Sequence, residues 1–455
     1  MKINEGLTPA DLLGKVARLW EASAAAIESI ERTCPPEQAS PVFTVAGRYT
    51  ARGWTEWTQG FQYGAAVLQF DATGDERFLE LGRERTRTVM ASHVSHIGVH
   101  DHGFNNISTY GNLLRLIGEG RIDGDADFYE LALKVSGAVQ AARWRTTADG
   151  TGYIYSFNGP QSLFVDTIRS GRSLAVAHRL GHALMGEHDE RISLLRRLIE
   201  HAANTARYNV YYGEGRDAYD VRGRTAHEAL FNVNDGRFRC PSTQQGYSPF
   251  STWTRGLAWA MLGYAEQLEF LATLDNDEDL QAYGGKAAVE TMLRLAAEAT
   301  CDFYVEHTPA DGIPYWDTGA PGLAQLGDYL GRPADPYNAH EPVDSSAAAI
   351  GAQGLLRLGR YLGAAGAGRR YWQAGLTVLD TLFDEPYLST DPDHQGLILH
   401  SVYHRPNGWD HVAPGQRVPN GESSMWGDYH AREVALYVQR VAQDQPYLTF
   451  FGGIS

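Results

Sequence analysis

Cysteine is scarce in this chain: three residues in 455, at Cys34, Cys240 and Cys301. They are odd in number, far apart and without CxxC spacing, which argues against a disulfide framework or a zinc site and predicts free thiols. Basic residues are outnumbered, 39 Lys and Arg against 55 Asp and Glu, for a net charge of −16. Such a chain does not neutralise phosphates, so nucleic acid is not an expected partner, and neither is an anionic membrane. No run of about 18 apolar residues is present, so no membrane span is expected. The opening MKINEGLTPADLLGK has no apolar core of a secretory signal, and the expected setting is cytoplasmic. Phosphate-loop, Rossmann, HExxH and GxSxG patterns are missing too. Their absence removes the common nucleotide, zinc-protease and serine-hydrolase readings.

Aromatics are plentiful: Tyr 24, Phe 16 and Trp 10, within a chain that is 43% hydrophobic. An excess beyond core needs points to stacking surfaces. An acidic ligand on an acidic protein needs a compact cationic pocket, because local arginines must overcome the overall field. The length prior of ~150 residues per domain suggests about three domains, but the chain has no long linker. A single domain over 1–455 is the expectation.

Apolar spacing reads as helix after helix. The first follows Thr8-Pro9, a cap residue and a proline at the first helical position. Further segments are predicted near 56–71, 76–94, 104–118, 126–145, 162–180, 188–204, 251–271, 280–300, 344–363, 369–385 and 423–443. Strand-like alternation is confined to short pieces such as Arg207–Tyr212. Irregular stretches at 205–250, 301–343 and 386–422 are long enough to suggest function. Odd-numbered helices are charged, as at Asp75–Arg87; even-numbered ones are rich in small residues, as at Gly60–Leu68 and Ser345–Ala352. Charged outer helices around small-residue inner ones predict an all-α fold, an (α/α)6 barrel of six hairpins. In that fold the inner helices run the same way. Their N-terminal ends would gather Trp57, His100, Asp101, Asp166, His227, Gln245, Arg255, Asp344 and Trp426 at one mouth, where free N–H groups favour an anion.

The segment Gln245–Trp259 carries most information. It places Arg255 between Trp253 and Trp259 at a predicted helix start. A guanidinium grips a carboxylate with paired hydrogen bonds, and indoles offer flat faces to a sugar ring. Asp101 sits in His100-Asp-His-Gly-Phe; a plain helix N-cap would also explain it. Asp166 lies between Val165 and Ile168, and a carboxyl in an apolar wall near a second carboxylate has its pKa raised. Such a group can hold a proton near neutral pH and act as acid, then base. His93, His96, His100 and His102 form a cluster without a familiar metal-ligand spacing, and no metal is expected there. Arg207, Arg216, Arg222 and Arg224 crowd one long segment, positioned either to meet a sulfate or to be solvated.

Six ordered motifs resemble the unsaturated glucuronyl hydrolases, glycoside hydrolase family 88, over most of the chain. Trp57-Thr-Gln-Gly-Phe is similar to the family's WTDGF, with Gln59 for its Asp. His100-Asp-His-Gly-Phe resembles HDxGF. Gln245-Gly-Tyr-Ser with Ser251-Thr-Trp-Thr-Arg-Gly-Leu-Ala-Trp resembles HQGYSxxSTWSRGQAW, with Gln244 for the His. Gly312-Ile-Pro-Tyr-Trp-Asp, Asp344-Ser-Ser-Ala-Ala-Ala-Ile and Met425-Trp-Gly-Asp-Tyr complete the set. After Asp166 the family's Asn-Leu is replaced by Arg169-Ser170, and an upstream aromatic, usually Trp, corresponds to Phe157.

The resemblance implies an (α/α)6 barrel without cofactor. The implied substrate is an oligosaccharide left by polysaccharide lyases, with a 4,5-unsaturated glucuronic acid at its non-reducing end. The implied reaction is hydration of the C4=C5 bond. It further implies Asp166 as general acid/base and Asp101 as the second carboxylate, with Trp57, His227, Gln245, Arg255 and Trp259 binding substrate. His100, Trp253, Asp344 and Trp426 join them as expected substrate-binding positions at the mouth. Oligomeric state is not read from the sequence, and a homo-oligomer is allowed. Other readings are an unsaturated rhamnogalacturonyl hydrolase, whose RGNGW differs from Arg255-Gly-Leu-Ala-Trp here, a sugar epimerase or polysaccharide lyase on the same barrel, and a non-catalytic sugar-binding protein.

Overall fold

The computed structural model describes residues 1–37, 40–51, 56–275 and 278–452. Its helices in chain order are α1 (Leu13–Thr33), α2 (Gln59–Thr73), α3 (Glu76–Thr88), α4 (Ala91–Val94), α5 (His102–Asn106) and α6 (Asn112–Gly118), with a π-turn over Ile107–Gly111 joining the last two. Then come α7 (Ala126–Ala142), α8 (Thr167–Ser170), α9 (Arg172–Arg179), α10 (Leu194–Tyr208), α11 (Thr254–Ala272), α12 (Glu278–Gln281), α13 (Lys286–His307), α14 (Ser345–Tyr361), α15 (Arg369–Leu382) and α16 (Met425–Ala442).

These elements form six outer–inner pairs. The inner members touch in a closed cycle: α2, α5–α6, α8–α9, α11, α14, α16 and back to α2. Around them lie α1, α3, α7, α10, α13 and α15. The arrangement follows from composition. Outer α3 exposes its arginines and glutamates and buries Phe78, Leu79, Gly82 and Thr86, the stripe expected of a surface helix. Inner α11 is buried on every side from Thr254 to Leu271. Such helices need small residues where backbones meet. A Cβ on Gly60 of α2 would lie 2.3 Å from the Asn105 backbone, and one on Gly103 of α5 would lie 2.1 Å from the Ser170 carbonyl oxygen. No helix among the described residues is long and apolar enough to cross a membrane.

Several boundaries differ from the sequence reading. The segment expected to be helical over 162–180 begins as a strand. Ser162–Phe164 pairs with Glu228–Phe231, which pairs in turn with Phe238–Ser242, so part of the stretch expected to be irregular is sheet. Leu163-Phe164-Val165 is buried from both sides, and a short continuous apolar run carries no period to separate strand from helix. The predicted 76–94 helix breaks into α3 and α4, and the 188–204 helix starts only at Leu194. Arg207 and Tyr208 end α10, and of the alternating residues beyond them only Val210 pairs, in an isolated bridge to Thr225.

Candidate active site

Six inner-helix starts do converge. Trp57 precedes α2, Asp101 is the residue before α5, Asp166 the residue before α8, Trp253 the residue before α11, Asp344 the residue before α14, and Trp426 lies in the first turn of α16. A narrow pocket opens there, with a cavity volume of only ≈50 Å³. Its walls include Trp57, His100, Asp101, Asp166, Gln245, Trp253, Arg255 and Trp259 from the predicted set. Phe104, Phe157, Gln244, Tyr403, His404 and Trp409 complete it.

The two carboxylates meet across one imidazole. His100 Nε2 lies 3.4 Å from Asp166 Oδ1 and 3.6 Å from Asp101 Oδ1. Neither carboxylate caps its helix through the side chain, so the N-cap explanation of Asp101 does not hold. The turn carrying His100 and Asp101 is pinned from behind. Gln140 Nε2 and Ser170 Oγ both donate to the His100 carbonyl oxygen, at 2.8 and 2.7 Å, and Ser170 Oγ accepts from Gly103 N at 2.9 Å. The His100 ring stacks on Phe157 and meets the edge of Phe164.

Charge divides unevenly between the acids. Burial pushes Asp101 up to about 6, with the Asp166 charge adding to the effect. Burial would also raise Asp166, but the His100 ring beside it, together with the Arg255 charge, outweighs that and holds it below the usual carboxylate value. This corrects the expectation that Asp166 would be the raised group. Burial would lower His100, yet the two carboxylates hold it above its ordinary value.

Arg255 differs most from its predicted role. Its guanidinium lies between Trp253 and Trp426, 4.7 Å from each ring, and not between Trp253 and Trp259. Its Nη atoms serve protein acceptors: the Val402 carbonyl and Asp344 Oδ2 (3.4 Å) on one side, Gln245 Oε1 and the Tyr403 carbonyl (both 2.8 Å) on the other. Arg255 therefore orients the Gln245 amide and clamps the 402–403 backbone to the mouth. A carboxylate in the pocket meets its positive field more than its fork of donors.

Three further predicted residues stand behind the wall. Asp344 is fully buried; its Oδ1 accepts from Ser346 N and Val402 N, so it positions α14 and the 402 loop rather than facing the pocket. Trp426 is also fully buried, stacked on Trp57 at 5.0 Å with its indole N–H on Ser346 Oγ. His227 packs on Phe164 and Trp253, and its Nδ1 accepts from the backbone N–H groups of Gln244 and Gln245. That bond fixes the ring proton on Nε2, and burial pushes the ring down to about 3, so it is neutral.

The sequence departures find structural uses. Gln59 Oε1 pairs with His93 Nε2 at 2.8 Å, away from the pocket. His102 bonds Ser136 and the His96 carbonyl, so His93 and His102 are tied into separate packing contacts while His100 faces the pocket. Arg169 is wholly buried and pairs with Glu266 and Glu433 inside the barrel. The four loop arginines are engaged within the protein: Arg207 with Asp149, Arg222 with Asp302, Arg224 with Asp217, and Arg216 with backbone carbonyls of 207–210.

Tyr403, His404 and Trp409 were not singled out from sequence. Asp410 holds their loop by accepting from Tyr403 N at 2.5 Å and His404 N at 3.2 Å. The signal available was a dense group of aromatic and ring residues in an irregular, Gly- and Pro-bearing stretch.

No family model matches this chain. Curated proteins do. The chain is 27% identical over 401 residues to an unsaturated glucuronyl hydrolase of Bacillus sp. (strain GL1), covering 87% of this chain and 89% of that protein. It is 26% identical over 381 residues to one of Formosa agariphila, covering 83% and 78%. The crystal structure of an unsaturated glucuronyl hydrolase specific for heparin superposes with a TM-score of 0.72 at 20% identity, covering 95% of this chain and 98% of that one. In sequence over most of its length, and in fold, the chain is thus similar to the unsaturated glucuronyl hydrolases.

Proposed function

We propose that this chain, acting as one catalytic domain, is an unsaturated glucuronyl hydrolase. It removes a 4,5-unsaturated glucuronic acid from the non-reducing end of an oligosaccharide. The observation that carries this reading is a pair of buried carboxylates sharing one imidazole at the floor of an indole-walled pocket.

The flat unsaturated ring lies against Trp57 and Trp259, and its carboxylate is held by the Gln244 and Gln245 amides within the field of Arg255 and the helix N-termini. Asp166 delivers a proton to C4. Positive charge then develops at C5 and the ring oxygen, and a water adds at C5 while giving a proton back to Asp166. The product is a hemiketal. Its ring oxygen leaves C5, which becomes a ketone, and C1 releases the leaving sugar as an aldehyde forms. No carboxylate attacks the anomeric carbon, unlike the usual two-carboxylate scheme. Asp101 keeps the second proton position beside Asp166. An epimerase built on the histidine cluster is not favoured, because His93 and His102 are bonded into packing contacts.

The test is direct. Purified protein is mixed with unsaturated uronyl disaccharides and the ultraviolet band of the conjugated double bond is followed. Loss of the band supports the reading; a band that persists at high enzyme concentration, with every disaccharide tried, overturns it.

A further inference from the structure

Four histidines near the site differ in one respect. His93 is bonded at both ring nitrogens, to Gln59 and Asn105. His102 is bonded at both, to Ser136 and the His96 carbonyl. His227 is fixed through Nδ1 by two backbone N–H groups. Among the described residues, the His100 ring has no polar partner besides the two carboxylates its Nε2 faces, the nearer of them Asp166 at 3.4 Å, although it is only 1% exposed. A buried imidazole without a fixed tautomer is costly unless its freedom is used. Its Nε2 faces both catalytic carboxylates, at separations slightly longer than a formed charge-assisted hydrogen bond, and so is committed to neither.

We propose that His100 is the proton-positioning residue of this site: Nε2 takes a proton from Asp101 and passes it to Asp166, so the imidazole decides which acid is armed. This rests on the function proposed above and specifies how that site is charged. The step balances. The site exchanges among three forms that differ only in where one proton sits: protonated Asp101 with neutral His100 and ionised Asp166; ionised Asp101 and Asp166 on either side of imidazolium; and ionised Asp101 with neutral His100 and protonated Asp166. No electrons move and one proton changes place.

The surroundings give the transfer its direction. In the empty pocket the shared proton favours the His100 ring, which the two carboxylates hold above its ordinary value; of the two acids Asp101 is the readier to take it, and Asp166 is ionised. A uronate seated beside Asp166 adds a negative charge that penalises its ionised form, which draws the proton across. The other charged or titratable groups around His100 are Arg143, at the end of α7, and the buried His201 and His227. His201 and His227 are pushed down to about 3 by burial, so at neutral pH they are spectators. Ser170 and Gln140 make the bridge possible, because they fix the backbone from which the ring swings.

The test has two arms. In the first, His100→Gln keeps an N–H donor of similar reach but cannot accept a proton and pass it on. We expect kcat to fall ~10²-fold or more with KM little changed. The pH profile of kcat/KM should also move upward, because the ring holds both carboxylates down. Ser170→Ala, which loosens only the anchor, should lower kcat in the same direction by a smaller factor.

In the second arm, the His100 ring is titrated by NMR in wild type, Asp101→Asn and Asp166→Asn. Each carboxylate removed should lower its midpoint by about one pH unit. A His100→Gln enzyme with wild-type kcat and an unmoved pH profile overturns the proposal. So does a midpoint indifferent to both Asn variants, even where His100→Gln fails to fold. A wild-type enzyme inactive on every unsaturated disaccharide would sink the functional reading instead, while the titration would still decide the bridge.

Discussion

Two clusters of buried charge sit at opposite ends of the same inner helices, and they are built on opposite principles. Near the C-terminal ends of α2, α6 and α16, Asp71 is met by Arg115 and Arg440 at 2.7 Å each and by Arg121 at 2.9 Å. Glu119 joins Arg115 and Arg440. Asp71 is fully buried, which would raise it, yet the arginines hold it below the usual carboxylate value. At the N-terminal mouth, Asp101 and Asp166 share one imidazole between them, and Asp166 Oδ1 accepts no hydrogen bond among the described residues. The saturated cluster fixes structure. The under-coordinated one keeps donors and acceptors in reserve for substrate, at a cost in stability.

The contrast can be broken from either side. The largest effect is expected for Asp166→Asn: kcat lower by ~10²–10⁴-fold, with substrate binding and thermal midpoint nearly preserved. Steady-state kinetics and an equilibrium binding assay check this together, and near wild-type turnover would remove Asp166 from its role. The mirror experiment is Asp71→Asn. Breaking one partner of a buried ion network should cost ~3–5 kcal/mol of stability, while turnover per folded molecule stays at the wild-type value. Denaturant unfolding and active-site titration measure the two quantities separately.

Arg255→Lys comes next. One ammonium cannot hold Asp344, Val402, Gln245 and Tyr403 together, and it loses the planar contact between two indoles. The 402–409 wall should loosen, lowering kcat/KM by ~10–10²-fold through KM as well as kcat. Addition of free guanidinium should recover little, because the defect is one of positioning.

The smallest expected effect sharpens the comparison through pH. Asp101 sits at about 6 in the folded chain, above the ordinary carboxylate value of 3.8. The folded state therefore holds that proton more tightly than the unfolded one. The stability it gives is full below pH 3.8 and is lost as pH rises through 6. Above that pH the site carries a buried, poorly matched anion. Asp101→Asn should accordingly be more stable than wild type at pH 7 by ~1–3 kcal/mol and should lose that advantage toward pH 4, while turnover drops at both. Thermal melts across pH check the sign.

The barrel itself was legible in the sequence because it rests on local chemistry. Small residues at Gly60, Gly64 and Ser345–Ala352 and charged faces such as Asp75–Arg87 record how close each helix stands to its neighbours. The gathering of Trp57, Asp101, Asp166 and Arg255 follows once the inner helices are parallel. What stayed hidden depends on distant partners. Arg255 reads as a free anion grip until Val402 and Tyr403, almost 150 residues away, take up its donors. Asp166 reads as a raised acid until the ring of His100 is placed against it. The strand at Ser162–Phe164 is set by pairing with Glu228–Phe231, which no local period announces.

The account stands most directly on where water goes. Wild-type enzyme should be given an unsaturated uronyl disaccharide in oxygen-labelled water and quenched early with borohydride, which fixes the C1 and C5 oxygens before the freed aldehyde and ketone exchange theirs with solvent. The ultraviolet band should disappear and the label should enter at C5 of the freed uronic acid, with none in the leaving sugar. A label found at C1 of the uronic acid, or a band that survives, would contradict it.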